Sequence, residues 1–163
     1  LASPILVDST VLSRLVLGES GADFAVNIFS RAEEGSDDIV IPSTAVVEAL
    51  SKTAVAAAAA VTGAGLPESI EKLESSSEVR ARALEAVEKL ASYIARLARI
   101  GRLTVYSVNV EDIARAVELA RRHELGLSEA ITLAVAERLR IQKIATFSKR
   151  LRRVKGYTYM PSS

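Results

Sequence analysis

An α/β fold, a three-layer αβα sandwich around a central parallel sheet of about five short strands, is what this sequence predicts. Two observations carry that prediction. Short runs of apolar residues such as Ile5-Leu6-Val7 and Ile39-Val40-Ile41 have the length and continuity of strands buried on both faces. Between such runs lie longer stretches with apolar residues three and four apart, the spacing of amphipathic helices. Strands that alternate with helices pair in parallel, and right-handed crossovers place helices on both faces of the sheet.

The first strand, behind Pro4, ends at Asp8, and Ser9 or Thr10 is placed to cap a helix through Val11, Leu12, Leu15 and Val16 that stops near Gly18. A second helix from about Ala22 carries Phe24, Ala25, Ile28 and Phe29 on one face and stops at Gly35. Asp37-Asp38 open the strand Ile39 to Ile41, and Pro42-Ser43 close it. A long helix then runs from Thr44 to Val61, with Glu48 about one turn in. After a Gly-containing break, Pro67 suits the first turn of a short helix that ends in Ser75-Ser76-Ser77. The longest helix, Glu78 to Ile100, has one apolar stripe of Val79, Ala83, Val87, Leu90, Ile94 and Leu97. Together these helices form an insertion at about 44 to 100.

Gly101 precedes a third strand, Leu103 to Val108, and Asn109 caps a helix to His123. Leu125-Gly126-Leu127 turns the chain. Ser128 caps a helix, Glu129 to Leu139, that is apolar on nearly every side and so reads as central. Lys143 to Phe147 is the fourth strand, Ser148 to Arg153 a basic helical turn, and Tyr157 to Met160 the last strand after Gly156.

Composition sets limits on the chemistry. A chain of 163 residues, 49% hydrophobic, fills one core, so one domain is the expectation. Without cysteine there is neither a disulfide framework nor a thiolate metal site, and one histidine, His123, supports neither a His-based triad nor a zinc site. The longest apolar run, Ala54 to Val61, is far short of the ~20 residues of a membrane span. No membrane partner and a cytoplasmic location are therefore expected. The net charge of +1 hides an asymmetry: Arg138 to Ser163 holds eight Lys or Arg and no acid, leaving thirteen bases against all twenty acids before it. The seven aromatics are scattered, unlike a base-stacking platform.

Three acids stand out: Asp8 at the end of the first strand, Glu48 early in its helix, and Glu129 at the start of the central helix. Each lies near a helix N-terminus at one end of the expected sheet. Each also has an ordinary reading: Asp8 as an N-cap, Glu48 as a surface residue, Glu129 as a partner of the helix dipole. Brought together, three carboxylates need a cation, and hard oxygen ligands point to Mg²⁺ or Mn²⁺. Beside them, Lys149, Arg150, Arg152, Arg153 and Lys155 follow the fourth strand and read as a phosphate-attracting run. A carboxylate-held metal next to such a run is a layout for phosphodiester hydrolysis.

Ile5-Leu6-Val7-Asp8-Ser9-Thr10-Val11, Ile41-Pro42-Ser43 with Glu48, Gly126-Leu127-Ser128-Glu129-Ala130 with Leu133-Ala134, and Ile144-Ala145-Thr146-Phe147-Ser148 resemble, in that order, the landmarks of a PIN domain of the VapC ribonuclease-toxin kind. The resemblance implies a five-stranded parallel sheet and a Mg²⁺- or Mn²⁺-dependent endoribonuclease acting on RNA. It also implies a homodimer and a small antitoxin that docks on the N-terminal helices. By this resemblance Asp8, Glu48 and Glu129 are the catalytic metal ligands, and Thr10 supports the first acid. Two positions depart from the family: Glu129 replaces the usual Asp, and Ser148 stands where a fourth acid is common, leaving an auxiliary hydroxyl. The rival expectation is a catalytically impaired PIN-like module that binds RNA or protein. A phosphoacceptor regulator built on Asp8 is a third, but it lacks the adjacent acidic pair.

Overall fold

A computed structural model describes residues 3–162; Leu1, Ala2 and Ser163 lie outside the described residues. Five strands form one parallel sheet: β1 (Ile5–Val7), β2 (Ile39–Pro42), β3 (Leu103–Tyr106), β4 (Lys143–Ala145) and β5 (Thr158–Met160), in the order β3-β2-β1-β4-β5. Among the described residues seven α-helices connect and cover them: α1 (Ser9–Leu17), α2 (Ala22–Glu33), α3 (Ser43–Thr62), α4 (Leu66–Ser75), α5 (Ser77–Arg99), α6 (Val110–His123) and α7 (Leu127–Leu139). A short 3-10 turn, Leu151–Arg153, leads into β5.

The alternation of β1 explains the two outer layers. Ile5 and Val7 point into one apolar layer, with Ala25, Ile28 and Phe29 of α2, Ala45 and Ala49 of α3, and Leu90, Ile94 and Leu97 of α5. Leu6 points the other way, among Ala116 and Leu119 of α6, Leu133 and Ala134 of α7, and Leu151. Each inward side chain therefore meets a helix, which is why the strands read as unbroken apolar runs rather than alternating ones.

Strand order decides where a ligand would bind. The chain builds β1, β2 and β3 outward on one side, then returns to place β4 and β5 on the other side of β1. Connections leave β1 and β4 in opposite directions, so a crevice opens at their carboxyl ends. Asp8 follows β1 and Thr146 follows β4, and both therefore stand at that crevice.

Boundaries moved where side chains outside the local pattern intervene. Asp8 itself caps α1, in place of Ser9 or Thr10. The helix α7 begins at Leu127, two residues before the expected start, because the Glu129 carboxylate reaches back to accept from the Gly126 N–H at 2.7 Å. β4 ends at Ala145, since the Phe147 N–H turns to Thr10 Oγ1 at 2.9 Å. α3 also differs from expectation: with 20 residues and a mean hydropathy of 1.4 over its most apolar window, it is long and apolar enough by those measures to cross a membrane. It packs against α1, α4 and α5, with Ala45, Ala49, Thr53 and Ala58 buried and Val47 and Val61 exposed, while Glu48 and Lys52 stand on its first half.

Candidate metal and nucleic-acid site

Asp8 is 4% exposed, and every contact of its carboxylate is neutral. Its Oδ1 accepts from the backbone N–H groups of Thr10 (3.0 Å) and Val11 (3.2 Å), the cap that starts α1, and from Thr10 Oγ1 at 2.6 Å. Oδ2 accepts from Thr146 Oγ1 at 2.5 Å. Burial dominates its protonation and pushes the pKa above the ordinary carboxylate range; the Thr10 and Thr146 hydroxyls and the Val11 and Thr10 amides pull it back only in part. The N-cap reading of Asp8 holds, since the Thr10 and Val11 amides both donate to its Oδ1.

The two threonines act as buckles between β1 and β4. Thr10 Oγ1 donates to Asp8 and accepts from the Phe147 N–H; Thr146 Oγ1 donates to Asp8 and accepts from the Ser148 N–H at 2.9 Å. Sequence reasoning found Thr10 but missed Thr146. Thr146 is a fully buried hydroxyl directly after the strand that pairs with β1, and neither its burial nor that pairing can be read from the sequence.

Glu48 sits in the second turn of α3 and reaches the N-terminus of α7, where Ser128 Oγ donates to its Oε2 at 2.5 Å. The nearby Ser9 hydroxyl favours its charged form, and Lys52, one turn on, stands 2.8 Å from Oε1. Burial raises the Glu48 pKa, but these donors together outweigh it and leave the carboxyl below its ordinary value. Glu129 caps its own helix through Oε2, accepts from Ser148 Oγ through Oε1, and meets Arg150 Nε at 3.3 Å.

A hydrogen-bonded chain links two of the acids, from Asp8 through Thr146 and the Ser148 N–H and hydroxyl to Glu129, while Glu48 is held apart from it by Ser128. The donor set, carboxylates and hydroxyls without nitrogen or sulfur, has the hard-oxygen chemistry of a Mg²⁺ or Mn²⁺ site. Among the described residues, however, no three carboxylate or imidazole groups stand close enough to hold one ion. Glu48 and Glu129 are instead each held by a cationic side chain.

A family model for the PIN domain matches residues 5–157. The chain belongs to the PIN domain family. No curated protein sequence matches it. Among solved structures its fold is similar to that of Mycobacterium tuberculosis VapC20, a Sarcin-Ricin loop cleaving toxin, with a TM-score of 0.63, 16% identity, and coverage of 94% of this chain and 96% of that one. At that identity the likeness is one of fold.

In this PIN domain the basic segment after β4 divides by role. Lys149, Arg150, Arg153 and Lys155 are exposed. Arg152 is partly buried and donates to two main-chain carbonyls, Thr146 at 3.1 Å and Pro161 at 2.7 Å, so it ties β4 to the chain beyond β5. Phe147, between Asp8's two buckles, lies under the Arg14 guanidinium at 3.9 Å and edge-on to Phe24.

Proposed function

We propose that this PIN domain is a metal-dependent endoribonuclease of the VapC toxin kind. The observation that carries the reading is the buried, desolvated Asp8 at the sheet's crevice, joined through Thr146 and Ser148 to Glu129 and bordered by an exposed basic segment. Asp8, Glu48 and Glu129 would supply the oxygens for a Mg²⁺ or Mn²⁺ ion, and they would have to draw together to share it, since among the described residues no three such groups stand close enough. Bound there, the ion would activate water and offset charge on the departing phosphate oxygen. Thr10 and Thr146 keep the Asp8 carboxylate in one orientation, so its charge needs no reorganisation during the reaction. Ser148 orients Glu129. Lys149, Arg150, Arg153 and Lys155 attract the RNA backbone without reading sequence.

An antitoxin partner fits the other end of α1. Leu17, Val55, Ala56, Ala59, Leu66 and Ile70, from α1, α3 and α4, line an apolar groove of about 440 Å³. Such a groove suits the apolar face of a partner helix.

A second reading, an RNA-binding PIN module with impaired catalysis, is favoured by the dispersed carboxylates and by Ser148 in place of an acid. Incubating a mixed RNA pool with the protein in Mg²⁺, in Mn²⁺ and in excess EDTA separates the two. The nuclease reading expects cleavage that EDTA stops and added metal restores. Binding of RNA without cleavage under either metal would establish the second reading instead.

A further inference from the structure

We propose that Arg14 is a phosphate-binding residue of this site, its guanidinium held over the Phe147 ring so that its remaining N–H groups meet an oxygen of the RNA backbone. The proposal rests on the RNA reading above, whether as nuclease or as binding module, and needs no metal ion. It adds a residue of α1 that lies outside the basic segment after β4.

Two neighbours place Arg14 at the crevice. Its Nη1 donates to the Thr10 carbonyl at 2.5 Å, and its guanidinium carbon lies 3.9 Å from the centre of the Phe147 ring. Thr10 is also the residue whose hydroxyl donates to Asp8, and Phe147 the one whose amide donates to that hydroxyl. Arg14 and the Asp8 buckle thus share both neighbours. Since Ser148 and the exposed Lys149 and Arg150 directly follow Phe147, the ring also joins Arg14 to the basic segment.

The guanidinium is fixed in advance. Nε donates to the Ser20 carbonyl at 2.7 Å, Nη1 to Thr10, and one face lies on Phe147, whose ring is itself wedged against Gly21 and set edge-on to Phe24. A planar cation stacked in this way loses little further freedom when it takes a ligand.

Charge is what the arrangement leaves over. Arg31, Arg96, Arg115, Arg138 and Arg150 each meet a carboxylate, whereas among the described residues Arg14 meets none. Its bonds go to neutral carbonyls, and the Nη2 donors are used by neither. The helix dipole does not account for the residue. Arg14 belongs to the last turn of α1, where a cation is favoured, but Nη1 turns back to Thr10 in the first turn, a carbonyl that the helix ladder already uses. A phosphate oxygen beside the partly buried guanidinium would supply both the missing negative charge and an acceptor for Nη2.

The test is fluorescence anisotropy of a labelled single-stranded RNA with the full chain in EDTA, over a range of salt concentrations. Arg14→Met, whose apolar stem still covers Phe147, should bind about threefold to tenfold more weakly at low salt, with a slope of log affinity against log salt shallower by about 0.7, the share of one phosphate contact. Arg14→Lys keeps the charge and should keep the wild-type slope. A purely structural Arg14 would lower the thermal midpoint in both variants and move the slope in neither. Should Arg14→Met fail to fold, nuclear magnetic resonance of the wild type gives the second measurement: the arginine Nε signal that Arg14→Lys removes should shift on titration with RNA. A wild-type slope in folded Arg14→Met, or an Nε signal that RNA leaves in place, would overturn the contact while the RNA reading stands. A shift of that signal by polyglutamate, at matched charge, as large as the shift by RNA would assign Arg14 to an acidic protein and overturn it too. Absence of RNA binding by the wild type would remove the RNA reading and the contact with it.

Discussion

Asp8 serves two purposes with one carboxylate, capping α1 through Oδ1 and meeting β4 through Oδ2 and Thr146. Replacing Thr146 by valine keeps the shape and removes the Oδ2 donor seen among the described residues, so it should cost about 1–3 kcal/mol in urea unfolding. A valine variant as stable as the wild type would show that Oδ2 needs no partner. Asp112 is a second buried acid and makes a pH prediction. Burial raises its pKa, but the Asn109 amide, the Tyr106 hydroxyl and Arg138 outweigh burial and leave it below the ordinary value. The folded state therefore resists protonation, and the stabilisation is complete above about pH 4 and fades as pH falls through the lower folded pKa. Wild type and Asp112→Asn should differ in stability at pH 7 and converge in acid; a gap that stays constant down to about pH 3 would contradict this. The place of Asp8 at the end of β1 was legible, because the apolar run of the strand stops at it. Thr146 was not, since a hydroxyl at a strand end means little until the 138-residue separation from Asp8 is closed.

Helices were legible where one stripe of apolar residues faces one layer, as in α5, whose Val79, Ala83, Leu90, Ile94 and Leu97 are buried. Their ends were less so. The start of α7 depends on a Glu129 carboxylate folding back on Gly126, and the end of β4 on Thr10, a residue of another element. α2 opens at Gly21, whose φ of +94° is in the left-handed region and whose missing side chain accommodates the Phe147 ring: a Cβ there would lie 2.5 Å from Phe147 Cζ. Gly21→Ala should destabilise the protein by at least about 1 kcal/mol and lower its thermal midpoint. Because Phe147 also bonds Thr10 through its amide, the same substitution should reduce RNA cleavage. An unchanged midpoint and unchanged cleavage would show that Phe147 moves freely.

At the scale of the whole molecule, parallel pairing followed from the alternation of strands and helices, but strand order did not. Nothing local in Lys143 to Ala145 says that it returns to the far side of β1, and that return makes the crevice. The charge asymmetry was legible as a count, and the fold turns it into an exposed segment beside the acids, less Arg152, whose donors go to the main chain. Changing Lys149, Arg153 and Lys155 to glutamine should weaken RNA binding and flatten the slope of log affinity against log salt by about 0.7 for each phosphate no longer neutralised. Arg152→Gln should instead lower stability and leave that slope nearly unchanged. The central claim, that Asp8 is a catalytic carboxylate, is tested most directly by comparing RNA cleavage by the wild type and Asp8→Asn in Mg²⁺ and Mn²⁺. Asparagine keeps an oxygen for the Thr10 and Val11 amides and so keeps the cap, while the charge is gone. The account predicts a loss of about a hundredfold or more at an unchanged fold; cleavage at the wild-type rate by the folded variant would contradict it.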